Sequence, residues 1–571
     1  MSAGVVTRVN GPVVEVAGLE ASMLDFVEVG PLRLPGEVIA LGSHGATVQV
    51  YEYTGGLQPG DPVSPTGLQL AAQLGPGLLG GVFDGMLRRL AGAPDLLPSG
   101  ARPDPLPLDQ RWSFSPVAAE GAAVDGGALL GVLPERALEH RVLVPPTVSG
   151  VLEWIVPAGS YSVADRIAVV AGTEVTLAHR WPVRLPRPHR RRLATDRPLT
   201  TGQRAFDLFY PVGCGSTAGI PGGFGTGKTV LLQQIAKWCD ADVIVYVGCG
   251  ERGNEMADVL HDLGELADPR TGGLLLDRTV LIANTSNMPV LAREASVHTG
   301  VTVAEYFRDM GYDAVLVADS TSRWAEALRE VASRTGELPA EEGYPAGLAS
   351  ALASFYERAG KVETAAGAQG SVTILAAVSP PGGDMAEPVS AHTQRFTRCT
   401  WSLDRDLAYA RHYPAVSWHD SSSRDVEAVA SWHSMRGDRY WGDRRAQALG
   451  LLSESDRLES IAQLVGATSL PDAERVVLLS ARLLREAVLQ QSSLSAYDAY
   501  CAPAKQTALL ELVLALHERC VQLVAKGVPA DRIERVDFTK AILARDSVPP
   551  DDAEAVQEIR TALLARLGDL E

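Results

Sequence analysis

The sequence lacks the cysteine patterns that mark disulfide-rich and zinc-binding domains. Its 571 residues include only six cysteines, which are widely scattered, and no two of them are spaced C-x-x-C. This excludes a zinc ribbon and predicts free thiols in a reducing compartment. No apolar run reaches the about 18 residues needed to cross a bilayer, and the N-terminal stretch MSAGVVTRVNGPVVEV lacks the features of a secretion signal. We therefore expect a soluble chain that meets a membrane only through a partner.

Lysine is nearly absent. Of 51 basic residues only six are lysine, and none occurs in the first 227 positions. The six are Lys228, Lys237, Lys361, Lys505, Lys526 and Lys540. The net charge of −18 argues against the basic surface that non-specific nucleic-acid binding requires, so we expect no nucleic-acid partner. In a chain that otherwise uses arginine, the first lysine marks a position where chemistry requires a compact ammonium group.

The length and the apolar fraction of 46% predict three or four globular domains. Val-rich runs punctuated by Gly and Pro predict a β-barrel or sandwich over residues 1–68. A second β-rich block, 110–185, interrupts an α/β domain that we expect to comprise 69–109 and 186–430. There the apolar runs are short and continuous, which predicts a parallel sheet covered by helices on both faces. Helical periodicity predicts an all-α domain over 431–571.

Three shorter segments carry weaker predictions. GGVFDGMLRRLAGA predicts a short helix over residues 80–93, followed by a Pro-rich connector. VSGVLEWIVPAGSYSV is similar to a biotin- or lipoyl-carrying domain, but it has no acceptor lysine, which favours a structural β-domain. The basic segment 184–198 lacks interleaved aromatic residues, so we interpret it as a solvated connector rather than an RNA or lipid contact.

The first lysine lies in IPGGFGTGKT, where residues 222–229 fit the pattern G-x-x-x-x-G-K-[ST]. The glycines let backbone N–H groups point at a β-phosphate, and the helix that begins near Lys228 adds its positive end. Lys228 is predicted to reach the β- and γ-phosphates, and Thr229 to offer its hydroxyl to Mg²⁺. STAGI before the loop is a plausible strand, and TVLLQQIAKW after it a helix. The residues expected to contact the nucleotide here are Gly222, Gly223, Phe224, Gly225, Thr226, Gly227, Lys228, Thr229 and Val230.

Two carboxylates follow buried strands. Asp319 ends DAVLVAD, the usual place for an acid that holds Mg²⁺ through water. Glu251 follows DVIVYVGCG and is a candidate to polarise the attacking water. Arg252 is then expected to steady Glu251 or to touch phosphate. The alternative for Glu251 is a solvated glutamate in a loop, and the alternative for Arg252 is a surface ion pair.

Taken together and in this order, these motifs closely resemble the catalytic A subunit of V-type (vacuolar and archaeal-type) rotary ATPases. The matching stretches include IPGGFGTGKT, YVGCGERGNEM, LIANTSNMPVLAREAS, TVAEYFRDMGYDAVLVADSTSRWAEALRE, EEGYPAGLAS, FYERAGKV and SVTILAAVSPPGGDMAEPVS. EHRVLVPPTVSG and GGALLGVL are similar to the inserted bulge domain of that subunit. The resemblance implies an N-terminal β-barrel, the bulge domain, a RecA-like P-loop domain and a C-terminal helical domain.

The resemblance also implies roles for single residues. ATP or ADP would bind at the P-loop, with Mg²⁺ placed by Thr229 and Asp319. Glu251 would activate water, and Arg252 and Arg323 would support the phosphate site. Tyr413 matches the aromatic position that packs on adenine, where the family usually has Phe; a core aromatic is the alternative. The arginine finger would come from a neighbouring B subunit.

The function so implied is ATP hydrolysis or synthesis at A–B interfaces of an alternating A3B3 hexamer. Central and peripheral stalk subunits would couple it to an ion-transporting membrane sector, with the proton as the expected ion. The chain would lie peripherally on the cytoplasmic face of the membrane. Three rivals are a hexameric RNA translocase, a non-catalytic nucleotide-binding subunit and an export ATPase, the last of which would lack a segment like 110–185.

The sequence departs from the family pattern in four places. GGF replaces the usual GPF in the P-loop, and Thr226 stands where some relatives carry cysteine, so we expect no thiol regulation there. Residues 391–404, AHTQRFTRCTWSLD, are more polar than usual, which leaves their packing open. QQSSLSAYDAYC also departs, so we assign no C-terminal adenine contact.

Overall fold

The computed structural model of the chain describes residues 3–43, 45–90, 97–268 and 270–571. Its first six strands close into a barrel in the order β1-β2-β5-β4-β3-β6. Inward-facing valines such as Val14, Val27 and Val48 are fully buried, as period-two alternation requires. The predicted β-barrel is therefore confirmed. The strands are β1 Gly4–Asn10, β2 Val13–Ala17, β3 Asp25–Val29, β4 Leu34–Gly42, β5 Gly45–Val50 and β6 Pro62–Gln69.

The helix predicted over residues 80–93 is wrong for the described part, and residues 91–93 lie outside the described residues. The chain here forms β7 Ala71–Leu74 and then β8 Val82–Phe83. After β8 it turns, because the Asp84 carboxylate accepts the N–H groups of Met86 (3.0 Å) and Arg88 (2.8 Å) and pairs with the Arg88 guanidinium at 2.7 Å. A side-chain acceptor that closes a turn in this way outcompetes helix formation.

The inserted block forms two antiparallel four-stranded sheets, in the orders β10-β13-β15-β16 and β12-β11-β9-β14. The following strand, β17 His179–Pro182, pairs with β7 and returns the chain to the α/β domain. The predicted β-rich insert is confirmed. Its strands are β9 Trp112–Pro116, β10 Ala123–Val124, β11 Leu129–Glu135, β12 Leu138–Leu143, β13 Gly150–Ile155, β14 Gly159–Tyr161, β15 Arg166–Val170 and β16 Thr173–Thr176.

The basic segment 184–198 is not solvated throughout. Arg184 is only 18% exposed and bridges Glu37 of the barrel and Glu294 of the α/β domain, at 2.7 Å each. Arg187 is buried and pairs with Asp309 at 2.6 Å. The interpretation as a solvated connector is therefore wrong for these two arginines. Arg184 ties the barrel to the α/β domain, and Arg187 is anchored within the α/β domain.

The central domain is a ten-stranded sheet whose core runs in the order β25-β19-β24-β22-β20-β21-β8, all in parallel. Every residue of β20 is buried, as a strand covered on both faces requires. The predicted parallel sheet is confirmed. The remaining strands are β18 Arg191–Leu193, β19 Thr217–Pro221, β20 Val243–Cys249, β21 Thr279–Asn284, β22 Asp313–Asp319, β23 Gly360–Glu363, β24 Gln369–Val378, β25 Cys399–Thr400 and β26 Ser422–Ser423.

Among the described residues, seven α-helices accompany this sheet and a bundle of seven more follows it, which confirms the helical end domain. The first seven are α1 Lys228–Trp238, α2 Gly253–Glu265, α3 Val290–Asp309, α4 Thr321–Thr335, α5 Leu348–Tyr356, α6 Pro388–Phe396 and α7 Arg405–Tyr409. The others are α8 Val426–Met435, α9 Trp441–Val465, α10 Asp472–Leu483, α11 Pro503–Ala525, α12 Ala530–Glu534, α13 Thr539–Ser547 and α14 Ala553–Gly568. No helix among the described residues combines the length and apolarity that a bilayer span demands.

The core shows how the polar segment 391–404 packs and in which state the cysteines are. Within the polar segment 391–404, Trp401 is fully buried, stacks on Phe206 with ring centroids 4.1 Å apart, and donates its indole N–H to the Tyr210 carbonyl at 2.8 Å. The segment is therefore packed into the core despite its polarity. All six cysteines are free, as predicted, and all six are buried.

A buried ion pair joins the central domain to the helical bundle. Arg204 and Asp498 lie 2.6 Å apart, and neither side chain is exposed to solvent. Breaking such a pair leaves a charge buried without a partner, at a cost of about 3–5 kcal/mol. We expect Asp498→Ala to lower the midpoint of thermal unfolding well below that of Asp551→Ala, a control at an exposed acid. Equal midpoints in calorimetry would contradict this role.

Candidate active site

The loop between β19 and α1 is a glycine-rich turn. Gly225 and Gly227 have φ of +80° and +87°, in the left-handed region that glycine adopts without strain. The Thr226 hydroxyl is buried and donates to the Gly223 carbonyl at 2.9 Å, which holds the turn together. Because α1 begins directly after this turn, its unpaired N–H groups and positive end form an anion site.

Lys228 folds back over the loop. Its Nζ donates to the carbonyl oxygens of Gly222 (2.6 Å) and Gly223 (2.8 Å). Burial lowers the pKa of the ammonium group, while the negative charges of Asp319 and Glu251 act to raise it. The one cation of the loop therefore faces both predicted acids across the site.

Asp319 lies at the carboxyl end of β22, where it pairs in register with Gly248 of β20. Its side chain is buried, and Tyr246 donates its hydroxyl to Oδ2 at 3.3 Å. Burial raises the pKa of Asp319, and hydrogen bonds from Thr229 and Tyr246 together with the charge of Lys228 only partly oppose this. The aspartate thus lies close enough to the loop threonine for the two side chains to interact.

Glu251 follows β20, the strand beside β22. Burial, the charge of Asp319 and a hydrogen bond with Glu255 together raise the pKa of Glu251 to about 8, while the charge of Arg323 opposes the rise. Two acids that share one site cannot both ionise freely. At neutral pH, Glu251 is therefore mostly protonated in the free chain.

This arrangement fits Mg²⁺ bound together with a nucleotide. Hydroxyl and carboxylate oxygens from Thr229 and Asp319 are the ligands that Mg²⁺ prefers. Among the described residues, no group of three or more His, Cys, Asp or Glu could hold a metal alone. Magnesium in phosphate sites uses one or two carboxylates plus phosphate oxygens, and a divalent cation would relieve the repulsion between Asp319 and Glu251.

Three arginines lie around the end of β20. Arg252 is exposed at the start of α2, and Arg323 is 48% exposed and pairs with Glu326 at 2.9 Å. Arg293 was not predicted: it is buried, and its Nε has no hydrogen-bond partner among the described residues. A Cβ on Gly250 would lie 3.0 Å from that Nε and 2.8 Å from the Arg323 Cβ. The end of β20 is therefore bordered by the Arg293 guanidinium and by the Cβ of Arg323.

Sequence reasoning also missed Tyr246 and Glu255. Glu255 stands four residues after Glu251 at the first turn of α2, a spacing that could have indicated the contact. Tyr246 occupies a strand that reads as uniformly apolar, and nothing in its local pattern singles it out.

Tyr413 lies beside the P-loop and is 43% exposed, so it is not a core aromatic. A Cβ on Gly227 would lie 3.7 Å from its ring. The Tyr413 carbonyl accepts the N–H of Gln491 at 2.7 Å, which ties this segment to the helical bundle. Phe224 and Val230, also predicted contacts, are 83% and 51% exposed.

Four family models match the chain in order. Residues 6–67 match the ATP synthase alpha/beta family beta-barrel domain, and residues 103–184 match the ATP synthase alpha/beta subunit barrel-sandwich domain. Residues 202–423 match the ATP synthase alpha/beta family nucleotide-binding domain. Residues 431–533 match the C-terminal domain of V and A type ATP synthase.

Full-length relatives agree with these models. The chain is 50% identical to the A subunit of the A-type ATP synthase of Methanopyrus kandleri, over 99% of this chain and 98% of that protein. It is also 50% identical to the V-type ATP synthase alpha chain of Anaeromyxobacter sp. (strain K), over 99% of each chain. Among solved structures, the assembled ATPase EscN from the enteropathogenic E. coli type III secretion system has a TM-score of 0.64. It is 24% identical and covers 89% of this chain and 99% of its own, a likeness in fold alone.

Proposed function

Because the chain belongs to the ATP synthase alpha/beta family, in its A-type and V-type branch, we propose that it is the catalytic A subunit of a rotary ATPase. It hydrolyses or synthesises ATP at interfaces with B subunits. The observation that carries this proposal is the convergence of Lys228, Asp319 and Glu251 around the P-loop.

The chain works within an assembly. Copies of it alternate with B subunits in an A3B3 hexamer, and stalk subunits connect the hexamer to the membrane sector. ATP turnover is thereby coupled to ion transport, for which we propose the proton. The chain is a peripheral member of this membrane-associated complex.

We propose the following roles in phosphoryl transfer. The P-loop amides and Lys228 hold the phosphates, and Thr229 and Asp319 place Mg²⁺, which supplies charge neutralisation when bound. Glu251, in its ionised form, orients and deprotonates the attacking water. Arg252 and Arg323 add positive charge at the entrance, and Tyr413 packs on the adenine ring. Positioning and electrostatics carry most of the catalysis in this class of reaction.

The rival functions have less support. A non-catalytic subunit would not need the complete set of Lys228, Thr229, Glu251 and Asp319. An export ATPase shares the central fold, but the barrel-sandwich match at 103–184 and the V and A type C-terminal match favour a rotary ATPase subunit. The net charge of −18 gives an RNA translocase no support.

Co-purification and an ATPase assay test the proposal. We expect the tagged full chain to purify with B-type and central stalk subunits. The assembled complex should hydrolyse ATP only when Mg²⁺ is present, and RNA should not stimulate it. Turnover that depends on RNA, or purification without any B-type subunit, would contradict the assignment.

A further inference from the structure

The P-loop of this chain carries a glycine pair, Gly222-Gly223, and a neighbouring arginine fills the space beside it. A Cβ on Gly223 would lie 3.3 Å from Nη2, 3.6 Å from Nε and 3.8 Å from Cζ of Arg405, and no closer to any other atom. One side of the Arg405 guanidinium therefore rests against the backbone of Gly223. The Gly223 carbonyl meanwhile accepts the Lys228 ammonium at 2.8 Å, so two cations contact the same glycine.

The backbone before Arg405 is fixed to the loop. Leu403 donates its N–H to the Pro221 carbonyl at 2.8 Å and forms a parallel bridge with Gly222. Asp404 caps α7 by accepting the N–H of Leu407 at 2.8 Å. These hydrogen bonds therefore position Arg405, the first residue of α7, beside the glycine pair.

Nothing else in the described part of the chain holds the Arg405 side chain. It is exposed, and its guanidinium makes no hydrogen bond or ion pair with any described residue. Its contact with Gly223 is therefore not a by-product of a salt bridge formed elsewhere. A pair of glycines has more conformational freedom than any other dipeptide, and that freedom must be lost when the loop closes on phosphate.

We propose that Arg405 is a positioning residue of the nucleotide site. By packing across Gly223 it restricts the glycine pair to the conformation in which Lys228 and the loop amides face the phosphates. The inference rests on the proposed function, because it concerns nucleotide affinity at that site. Its effect is on binding rather than on the chemical step, since Arg405 acts through the loop and not on the reacting atoms.

Steady-state kinetics of the assembled complex test this. We expect Arg405→Ala to raise KM for MgATP about fivefold to tenfold, the size of a coupling between residues in contact, with kcat changed less than about twofold. Arg405→Lys should behave like Arg405→Ala, because an ammonium group has no planar face to pack on Gly223. Arg535→Ala, at an exposed arginine of the helical bundle, is the control for loss of one positive charge.

Gly223→Pro supplies the decisive comparison. A proline Cβ would lie 3.3 Å from Nη2 of Arg405, so in the wild-type background the ring should crowd the guanidinium and raise KM. In the Arg405→Ala background the same change should lower KM, because the ring restricts the loop in place of the arginine. We therefore expect Gly223→Pro to raise KM in the wild-type background and to lower it in the Arg405→Ala background. If the effects of the two substitutions on KM were additive, the proposal would be overturned.

The remaining outcomes separate this inference from the proposed function. If the wild-type complex has no MgATP hydrolysis, the proposed function fails. If hydrolysis is present and requires Lys228, but Arg405→Ala matches Arg535→Ala, only the inference fails. A wild-type KM for Arg405→Lys would also overturn it, because charge alone would then explain any effect of the alanine variant.

Discussion

Lys228→Ala is expected to reduce ATP turnover of the assembled complex by at least about 10²–10³-fold, the cost of removing one preorganised group that stabilises transition-state charge. The ammonium group lies against the carbonyls of Gly222 and Gly223 and faces Asp319 and Glu251. The next lysine along the chain, Lys237, cannot replace it because its ammonium group is paired with Asp262 at 2.6 Å. Turnover by the variant near the wild-type level would show that the role assigned to Lys228 is wrong.

Two control variants show why the loss of Lys228 abolishes turnover. Lys228→Arg keeps the positive charge but replaces a slender ammonium group with a planar fork, and we expect it to be inactive as well. Lys540→Ala, at an exposed lysine of the helical bundle, should retain full activity. If Lys228→Arg were active, a requirement for charge alone would be established.

Chemical labelling gives a readout that does not depend on turnover. Burial lowers the pKa of Lys228, so more of this amine is unprotonated at mildly alkaline pH than of an ordinary lysine. With only six lysines in the chain, mass spectrometry can follow each one separately. We expect MgADP to protect Lys228, and not Lys540, from an amine-reactive reagent.

The sheet could be predicted from the sequence because its strands are buried on both faces. A run such as DVIVYVGC has no polar residue to mark a solvent face, and the structure places Val243–Cys249 at the centre of the sheet. Since carboxyl ends of parallel strands share one edge, Glu251 and Asp319 could also be expected near the P-loop. The order β22-β20, which makes them neighbours, is a property of the tertiary structure.

The predictions that failed concern residues whose partners lie far away in the sequence. The residues after Val82–Phe83 look helical by composition, but Asp84 closes a turn and β8 pairs with β21. Arg184 looked like part of a solvated basic segment, although acids from two other domains surround it. Arg293 was overlooked because its burial beside Gly250 follows only from the packing of α3 on β20.

Glu251→Gln is the second substitution expected to abolish turnover. It preserves the shape of the side chain but removes the base, and general-base catalysis contributes about 10²–10⁴-fold. Glu558→Gln, at an exposed glutamate of α14, is the matched control and should be fully active. A variant Glu251→Gln with near-normal ATPase activity would show that another group activates the water.

The pH dependence of the wild-type complex should report the same carboxyl group. Burial and the neighbouring Asp319 raise the pKa of Glu251 to about 8. Because kcat/KM reports ionisations of the free enzyme, it should increase as the pH rises through about 8, where the active carboxylate forms. A divalent cation favours the ionised form, so the apparent pKa seen in kcat should be lower.

Thermal unfolding of the nucleotide-free chain reports the ionisation of Glu251 without catalysis. The pKa of Glu251 is higher in the folded chain than its ordinary value of 4.5. Between 4.5 and about 8 the unfolded state has lost a proton that the folded state still binds, so stability decreases as the pH rises through this range. Glutamine cannot ionise, and we therefore expect Glu251→Gln to flatten this decline while Glu558→Gln leaves it unchanged. Parallel pH profiles for wild type and Glu251→Gln would mean that Glu251 is ionised throughout, and the acid would then need no cation to become a base.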